Sequence, residues 1–192
     1  NNFQNGIFVS EDICDLYALM YADDVSSVSD TKIQLQRQIN CISEFCKSVC
    51  MEVNLDKTKI VVFRNGGCLR NNEQWFYRDR LIEIVSMYKY LGIYMTPKLS
   101  WSKTHENAAK QAYKAINCIF RYQQAFGQFR PSEMFKLFDS MVKPILCYGA
   151  ELWGYQYIEK LENVHLHFCK RYCALPPQTA AVFVYGECGR LP

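Results

Sequence analysis

Residues 19–25 read LMYADDV and determine how the first half of this 192-residue chain is expected to fold. Apolar residues flank Asp23 and Asp24, a pattern that predicts two short strands joined by a tight turn over residues 13–29. Both carboxylates would then lie at the hairpin tip, where their mutual repulsion is relieved by water or by a cation. An Asp-Asp pair alone is more often a solvated turn, but its oxygens also suit Mg²⁺.

Periodicity around this hairpin predicts an α+β region over residues 1–97. Ser29, Asp30 and Thr31 offer N-cap oxygens for an amphipathic helix, whose apolar positions are Leu35, Ile39, Ile42, Cys46 and Val49. Val53 and Leu55 alternate with polar residues, and residues 60–63 are predicted to be a compact apolar strand. Short apolar runs at 81–85 and 87–95 predict further strands, and Pro97 ends this region.

Residues 98–192 are predicted to be helical, because apolar residues there recur every three or four positions. The first helix is expected over about residues 103–124, the second is expected to kink or end near Pro144, and the third is expected to end at Pro176 and Pro177. The apolar positions that mark them are Ala109, Ala112, Ile116 and Ile119 in the first, Met134, Phe138, Met141 and Ile145 in the second, and Leu161, Val164 and Phe168 in the third.

Composition excludes two classes of protein. No apolar run approaches the roughly 18–20 residues of a membrane span, and ten cysteines are too few for a disulfide-built secreted scaffold. Residues 1–56 hold nine acids and three bases, whereas residues 57–192 hold ten acids and nineteen bases. This asymmetry suits cations at the first part and a polyanion such as nucleic acid at the second, although chance placement of surface charge is an equal alternative.

Several motifs resemble those of reverse transcriptases, in particular the LINE-type (non-LTR retrotransposon) branch. Tyr21-Ala22-Asp23-Asp24 is similar to the catalytic motif, residues 53–59 (VNLDKTK) to the next palm motif, and residues 88–92 (YKYLG) to the motif that grips the primer end. Residues 144–154 and 186–192 resemble the region that follows the thumb. The resemblance implies a partial palm over residues 1–97 and a helical thumb and connection over residues 98–192.

For the active site, the resemblance implies two-metal nucleotidyl transfer with Mg²⁺ as the cofactor. Asp23 is the stronger candidate for a metal ligand, and Asp24 the weaker one. Lys57 is similar to the lysine proposed to protonate or steady the departing pyrophosphate; without the motif it would be an ordinary solvated lysine.

For nucleic-acid binding, the resemblance implies that Tyr90, Leu91 and Gly92 form the primer grip, with Gly92 allowing close approach of the backbone. The four bases Lys103, Lys110, Lys114 and Arg121 are spaced to share one helix face. This basic ridge would contact the phosphates of an RNA template and DNA primer, where the alternative is a solvated helix face.

A complete site needs another palm carboxylate and the fingers, and neither is expected within 20 residues before Tyr21. The chain is therefore expected to be a piece of a longer protein that also has an endonuclease domain and uses deoxynucleoside triphosphates, and to be inactive alone. Alternatives are a non-catalytic nucleic-acid-binding remnant of a mobile element, or a piece of a group II intron or telomerase-like reverse transcriptase. An intracellular protein without a membrane segment, with access to nuclear DNA for retrotransposition, is expected.

Overall fold

A computed structural model describes residues 17–67, 73–127, 129–155 and 157–191. The chain divides into two compact units, residues 1–88 with 96–98 and residues 89–95 with 99–192. The division into palm and thumb after residue 97 stays a prediction. In the structure, the hairpin at residues 89–95 is grouped with the helices of the second unit.

The first unit opens with an antiparallel hairpin, β1 (Ala18–Tyr21) and β2 (Asp24–Ser27). Its register pairs Tyr21 with Asp24 and Met20 with Val25, which leaves Ala22 and Asp23 as a two-residue loop. The predicted strand, tight turn and strand are therefore confirmed from residue 18 onward, and residues 13–16 of the prediction lie outside the described residues.

Helix α1 (Lys32–Ser48) follows and begins where the sequence predicts. The Gln34 amide donates a 3.3 Å hydrogen bond to the side-chain oxygen of Thr31, the N-cap residue. Ile39 on this helix packs in a small core with Trp75, Tyr77 and Ile82. The strands of this unit are short: β3 (Lys59–Ile60) pairs in parallel with β6 (Glu83–Ile84), and β4 (Phe76–Tyr77) pairs antiparallel with β5 (Arg80–Leu81).

Groups of α1 also form hydrogen bonds with Trp75 and Phe76, next to the short strand β4. The side-chain nitrogen of Gln36 donates to the Phe76 carbonyl at 2.7 Å, and the Phe76 backbone amide donates to the side-chain oxygen of Gln36 at 2.9 Å. Trp75 donates its indole hydrogen to the Lys32 carbonyl at 3.1 Å. Polar groups at the edge of β4 are thereby satisfied without a longer sheet.

The second unit begins with a hairpin of β7 (Tyr88–Tyr90) and β8 (Ile93–Met95), whose first residue belongs to the first unit, and continues with helices. The helices are α2 (Ser102–Phe126), α3 (Pro131–Leu137), α4 (Lys143–Leu146), α5 (Ala150–Trp153), α6 (Glu159–Tyr172) and α7 (Ala181–Cys188). The core positions predicted on α2 and α6 are confirmed where Ala112, Ile116, Ile119, Val164 and Phe168 are fully buried.

A π-helical turn, Phe138–Val142, separates α3 from α4. The Lys143 amide bonds the Phe138 carbonyl five residues earlier, and Pro144, which cannot donate, follows directly. Because the wider turn contains one extra residue, the positions that face the core after it are displaced by one residue. Prediction of Met141 as a core residue is therefore wrong: it is 37% exposed, and Val142 is fully buried in its place.

The predicted fold class is confirmed: short strands with a helix come first and a helical region second. No helix in the described ranges combines the length and apolarity that crossing a bilayer requires.

Candidate functional site

The tip of the β1–β2 hairpin presents two adjacent carboxylates to solvent. Asp23 is the second loop residue and Asp24 the first residue of β2, and both are exposed. Ala22 has a φ of +53°, in the left-handed region that residues with a Cβ rarely adopt. The turn thus holds an unusual backbone conformation immediately before the acidic pair.

The two carboxylates fit a divalent cation by donor chemistry, since both supply hard oxygens. Within the described residues, neither makes a hydrogen bond or ion pair with a protein side chain. Groups of three or more His, Cys, Asp or Glu side chains able to hold a metal ion do not occur in the described ranges. A site here would therefore take its other oxygen ligands from water, from substrate phosphates or from residues outside these ranges.

The base of the hairpin is fixed to the first unit. The Ser27 hydroxyl donates to the side-chain oxygen of Gln38 on α1 at 2.6 Å, and Gln38 is only 6% exposed. The Val28 amide donates to the Tyr17 carbonyl at 3.0 Å. The first contact anchors β2 to α1, and the second closes the base of the hairpin.

Lys57 lies in an exposed turn shaped by Asn54. The Asn54 side-chain oxygen accepts hydrogen bonds from the amides of Asp56 at 3.0 Å and Lys57 at 3.2 Å, which is an Asx-type turn. The Tyr88 hydroxyl donates to the Lys57 carbonyl at 3.0 Å. The structure therefore joins Tyr88 to the turn that holds Lys57, whereas no described hydrogen bond or ion pair joins Lys57 to either aspartate.

The predicted primer-grip residues form the β7–β8 turn. Tyr90 ends β7, and Leu91 and Gly92 form the two-residue loop, with φ values of +45° and +87°. Positive φ at both loop positions is the geometry of a type I′ hairpin turn, which favours glycine and is costly for leucine. Leu91 must therefore be held by its surroundings.

Tyr148 and Gly149 provide that support. The Tyr148 hydroxyl donates to the Leu91 carbonyl at 2.7 Å, and a Cβ on Gly92 would lie 3.1 Å from the Tyr148 ring. Gly149 has a φ of +72°, and a Cβ there would lie 2.6 Å from the terminal methyl of Ile93, a buried residue of β8. The 147–149 turn is thus fitted closely to the hairpin.

The β7–β8 hairpin is also tied to α2. The Tyr94 amide donates to the side-chain oxygen of Thr104 at 3.0 Å, and Thr104 is 5% exposed. The turn is therefore held from two directions inside the second unit, by the start of α2 and by the residues before α5.

The basic ridge lies on the exposed face of α2. Lys103, Lys110, Lys114 and Arg121 are all exposed and fall within one narrow stripe of the helix. Lys103 forms a 3.1 Å ion pair with Glu106. Lys110, Lys114 and Arg121 form no ion pair with any residue that the structure describes, so their charges are directed to solvent.

Tyr88, Tyr148 and Gly149 support the turns that hold Lys57 and Leu91, and the sequence predicts no individual role for any of them. The stretches 88–92 and 144–154 are both motifs of the sequence, but neither motif predicts that the two stretches contact each other. The signal was present in the Tyr-Gly pair at 148–149, since a glycine before a short helix commonly marks a left-handed turn.

Residues 3–95, just under half of the chain, match the model of the reverse transcriptase (RNA-dependent DNA polymerase) family. No curated protein and no solved structure matches the chain. The matched range includes the acidic hairpin, Lys57 and the β7–β8 turn, and it ends before α2.

Proposed function

We propose that the chain is the palm end and thumb of an RNA-directed DNA polymerase of the non-LTR retrotransposon type. The observation that carries this proposal is the solvent-exposed Asp23-Asp24 pair at a hairpin tip, inside a segment that matches the reverse transcriptase family. Reverse transcriptases bind a nucleic-acid template and primer, which supports a polyanion-binding surface on this chain. The non-LTR assignment rests on the motif resemblance through residues 144–154 and 186–192.

Asp23 and Asp24 would contribute the oxygen ligands for Mg²⁺ in the complete enzyme. When bound, Mg²⁺ supplies activation of the primer 3′-hydroxyl and neutralisation of the leaving pyrophosphate. Lys57 would act as a proton donor or a fixed positive charge toward the pyrophosphate. The Asn54 turn and the Tyr88 hydroxyl support its backbone from both sides.

The basic ridge on α2 would hold the template and primer duplex. Three of its four charges form no ion pair within the described ranges, and α2 keeps all four in line over about 27 Å. Contacts of this kind are made to phosphates, so they are independent of sequence and weaken as salt rises.

The chain alone is expected not to extend a primer, because only two carboxylates of the site are present in the described residues. Purified full-length chain, an annealed RNA template with a DNA primer, deoxynucleoside triphosphates and Mg²⁺ test this directly. Sustained template-directed extension would contradict the partial-site proposal.

Duplex binding tests the proposed role of the basic ridge. We expect a labelled RNA/DNA primer-template to bind the purified chain at low salt, with affinity that falls steeply as salt rises. Lys110→Ala/Lys114→Ala should reduce both the affinity and the salt slope, the slope by about two. Lys136→Ala, an exposed lysine on α3, is the matched control. A folded chain that binds no duplex at low salt would favour the non-catalytic remnant.

Metal binding at the hairpin has a readout that does not depend on activity. Mn²⁺, a paramagnetic substitute for Mg²⁺, should broaden the amide signals of residues 22–25 in the wild-type protein. Asp23→Asn/Asp24→Asn should abolish the broadening, whereas Asp79→Asn, in the β4–β5 turn, should not. Equal broadening in wild type and the double variant would remove these aspartates as ligands.

A further inference from the structure

A cavity of about 470 Å³ lies in the second unit, where the starts of α2 and α6 face each other. Its wall includes Trp101 and His105 from the beginning of α2, Tyr155 and Tyr157 from the segment before α6, and Lys160 from the first turn of α6. The volume is in the range of small-ligand sites in proteins. Neither the predicted active site nor the basic ridge includes this cavity, which we call the aromatic pocket.

The rim of the aromatic pocket exposes large aromatic surfaces. Tyr155 and Tyr157 are each 75% exposed, and Trp101, which also lines the pocket, is half-buried. Aromatic faces are the platform on which unpaired bases stack, and such stacking tolerates any base because every base has a π-face. Three of them around one cavity are suited to a flat ring.

The polar part of the wall suits the rest of a nucleotide. Lys160 supplies an exposed ammonium group that can pair with a phosphate, while Glu159 beside it is the one acid among the described residues of the wall. His105 is neutral at physiological pH, since burial, together with the charge of Lys160, lowers its pKa. Its Nε2 is buried and has no hydrogen-bond partner among the residues that the structure describes.

The aromatic pocket and the basic ridge have charged groups near each other at the start of α2. Ser102 lines the pocket, and Lys103, the first base of the ridge, follows it in the chain. The carboxyl of Glu106 has a lowered pKa, mainly through its hydrogen bond to Lys103 and further through the charges of Lys160 and Lys110. Lys160 and the first two bases of the ridge therefore act on the same carboxylate.

We propose that the aromatic pocket holds an unpaired base of a nucleic-acid strand whose paired part lies along the basic ridge. The base would stack on Tyr155, Tyr157 or Trp101, and its phosphate would pair with Lys160. The ligand class is therefore a duplex with a single-stranded extension, or a single strand. The proposal rests on the proposed function for the position of the duplex, but the aromatic stacking stands on the pocket itself.

Fluorescence anisotropy with three probes tests it on the full chain: a blunt RNA/DNA hybrid, the same hybrid with a four-adenosine extension, and a twelve-adenosine single strand. Wild type should prefer the extended hybrid over the blunt one. Tyr155→Leu/Tyr157→Leu should weaken binding of the extended hybrid and the single strand about tenfold, and leave the blunt hybrid unchanged. Phe183→Leu, which is 74% exposed on α7 in the wild type, is the matched control.

The outcomes separate this proposal from the proposed function. If Lys110→Ala/Lys114→Ala weakens all hybrids while the double tyrosine variant binds the extended hybrid as wild type does, the aromatic pocket is refuted and the thumb proposal stands. If wild type ignores the blunt hybrid but binds the single strand through the tyrosines, the pocket stands without the thumb. A folded wild type that gains nothing from the extension and does not bind the single strand overturns the pocket as a nucleic-acid site.

Discussion

The Tyr148 hydroxyl donates a hydrogen bond of 2.7 Å to the backbone carbonyl of Leu91, 57 residues earlier in the chain. Leu91 has a φ of +45°, which is unfavourable for a branched side chain. The hydrogen bond, together with the close fit of the Tyr148 ring to Gly92, holds this turn in place. The stretch at residues 144–154 therefore supports the turn that we predict to grip the primer.

Tyr148→Phe should destabilise the β7–β8 turn by about 0.5–1 kcal/mol, because the Leu91 carbonyl loses a hydrogen bond at a partly exposed site. Hydrogen exchange of a peptide covering residues 88–95, followed by mass spectrometry, measures the effect where it occurs. Tyr122→Phe, on the exposed surface of α2, is the control and should leave the exchange unchanged. Equal protection in wild type and Tyr148→Phe would show that the ring fit alone holds the turn.

Gly92→Ala should destabilise the second unit by about 1–3 kcal/mol. Two costs combine: the φ of +87° is strained for alanine, and the added Cβ would lie 3.1 Å from the Tyr148 ring. Gly189→Ala separates them, since Gly189 has a φ of +60° and no atom within 4 Å of the added Cβ, so it carries the strain alone. Urea unfolding of both variants measures the difference. Equal losses would mean that Tyr148 moves aside at no cost.

Arg190, in the stretch at residues 186–192, joins the chain after α7 to the π-helical turn. Its guanidinium donates to both carboxylate oxygens of Asp139, at 2.9 and 2.5 Å, and lies over the Phe135 and Phe138 rings. Arg190→Lys keeps the charge but loses the paired geometry and the planar stacking, so we expect a loss of about 1 kcal/mol in urea unfolding. Arg130→Lys, which alters the exposed ion pair with Glu133, should change little; a larger loss there than at Arg190 would contradict this interpretation.

Local signals in the sequence predicted those parts of the fold that local interactions determine. Thr31 caps α1 as expected, and the alanine and isoleucine stripe of α2 is buried opposite the basic ridge. The predicted strand at residues 60–63 is shorter in the structure, where only Lys59–Ile60 pairs, because its partner β6 has two residues. Strand length there depends on a distant segment and not on the apolar run.

At the candidate site, too, local features were predicted from the sequence and contacts between distant residues were not. The hairpin with Asp23 and Asp24 has its turn where the apolar pattern places it. The contacts of Tyr88 with Lys57 and of Tyr148 with Leu91 join residues far apart in the chain, and periodicity carries no information on such pairs. Their roles at the site, like those of the aspartates, stay predictions until the experiments above are made.

The second unit should lose stability as the pH falls below about 6.5. Burial lowers the pKa of His165, and the positive charges of Arg190 and Lys143 lower it further against the opposing charges of Glu162 and Asp139. The unfolded chain then binds a proton that the folded chain does not, so stability is full above the ordinary pKa and declines below it. Urea midpoints at pH 7.5 and 5.5 measure this, and His165→Gln should reduce the difference, leaving the part due to His105 and His167, whose pKa values burial also lowers. Parallel losses in both proteins would assign the pH dependence to other groups.

Val142 and Met141 provide a test of the π-helical turn. With the extra residue in the turn, Val142 is fully buried and Met141 is 37% exposed, whereas a continuous α-helix would favour Met141 in the core. Val142→Ala removes two buried methyl groups and should cost about 2–3 kcal/mol, while Met141→Ala should cost less than about 1 kcal/mol. Urea unfolding of the two variants distinguishes the π-helical turn from a continuous α-helix. A larger loss at Met141 would mean that α3 runs into α4 without the wider turn, and that Pro144 is accommodated by a kink instead.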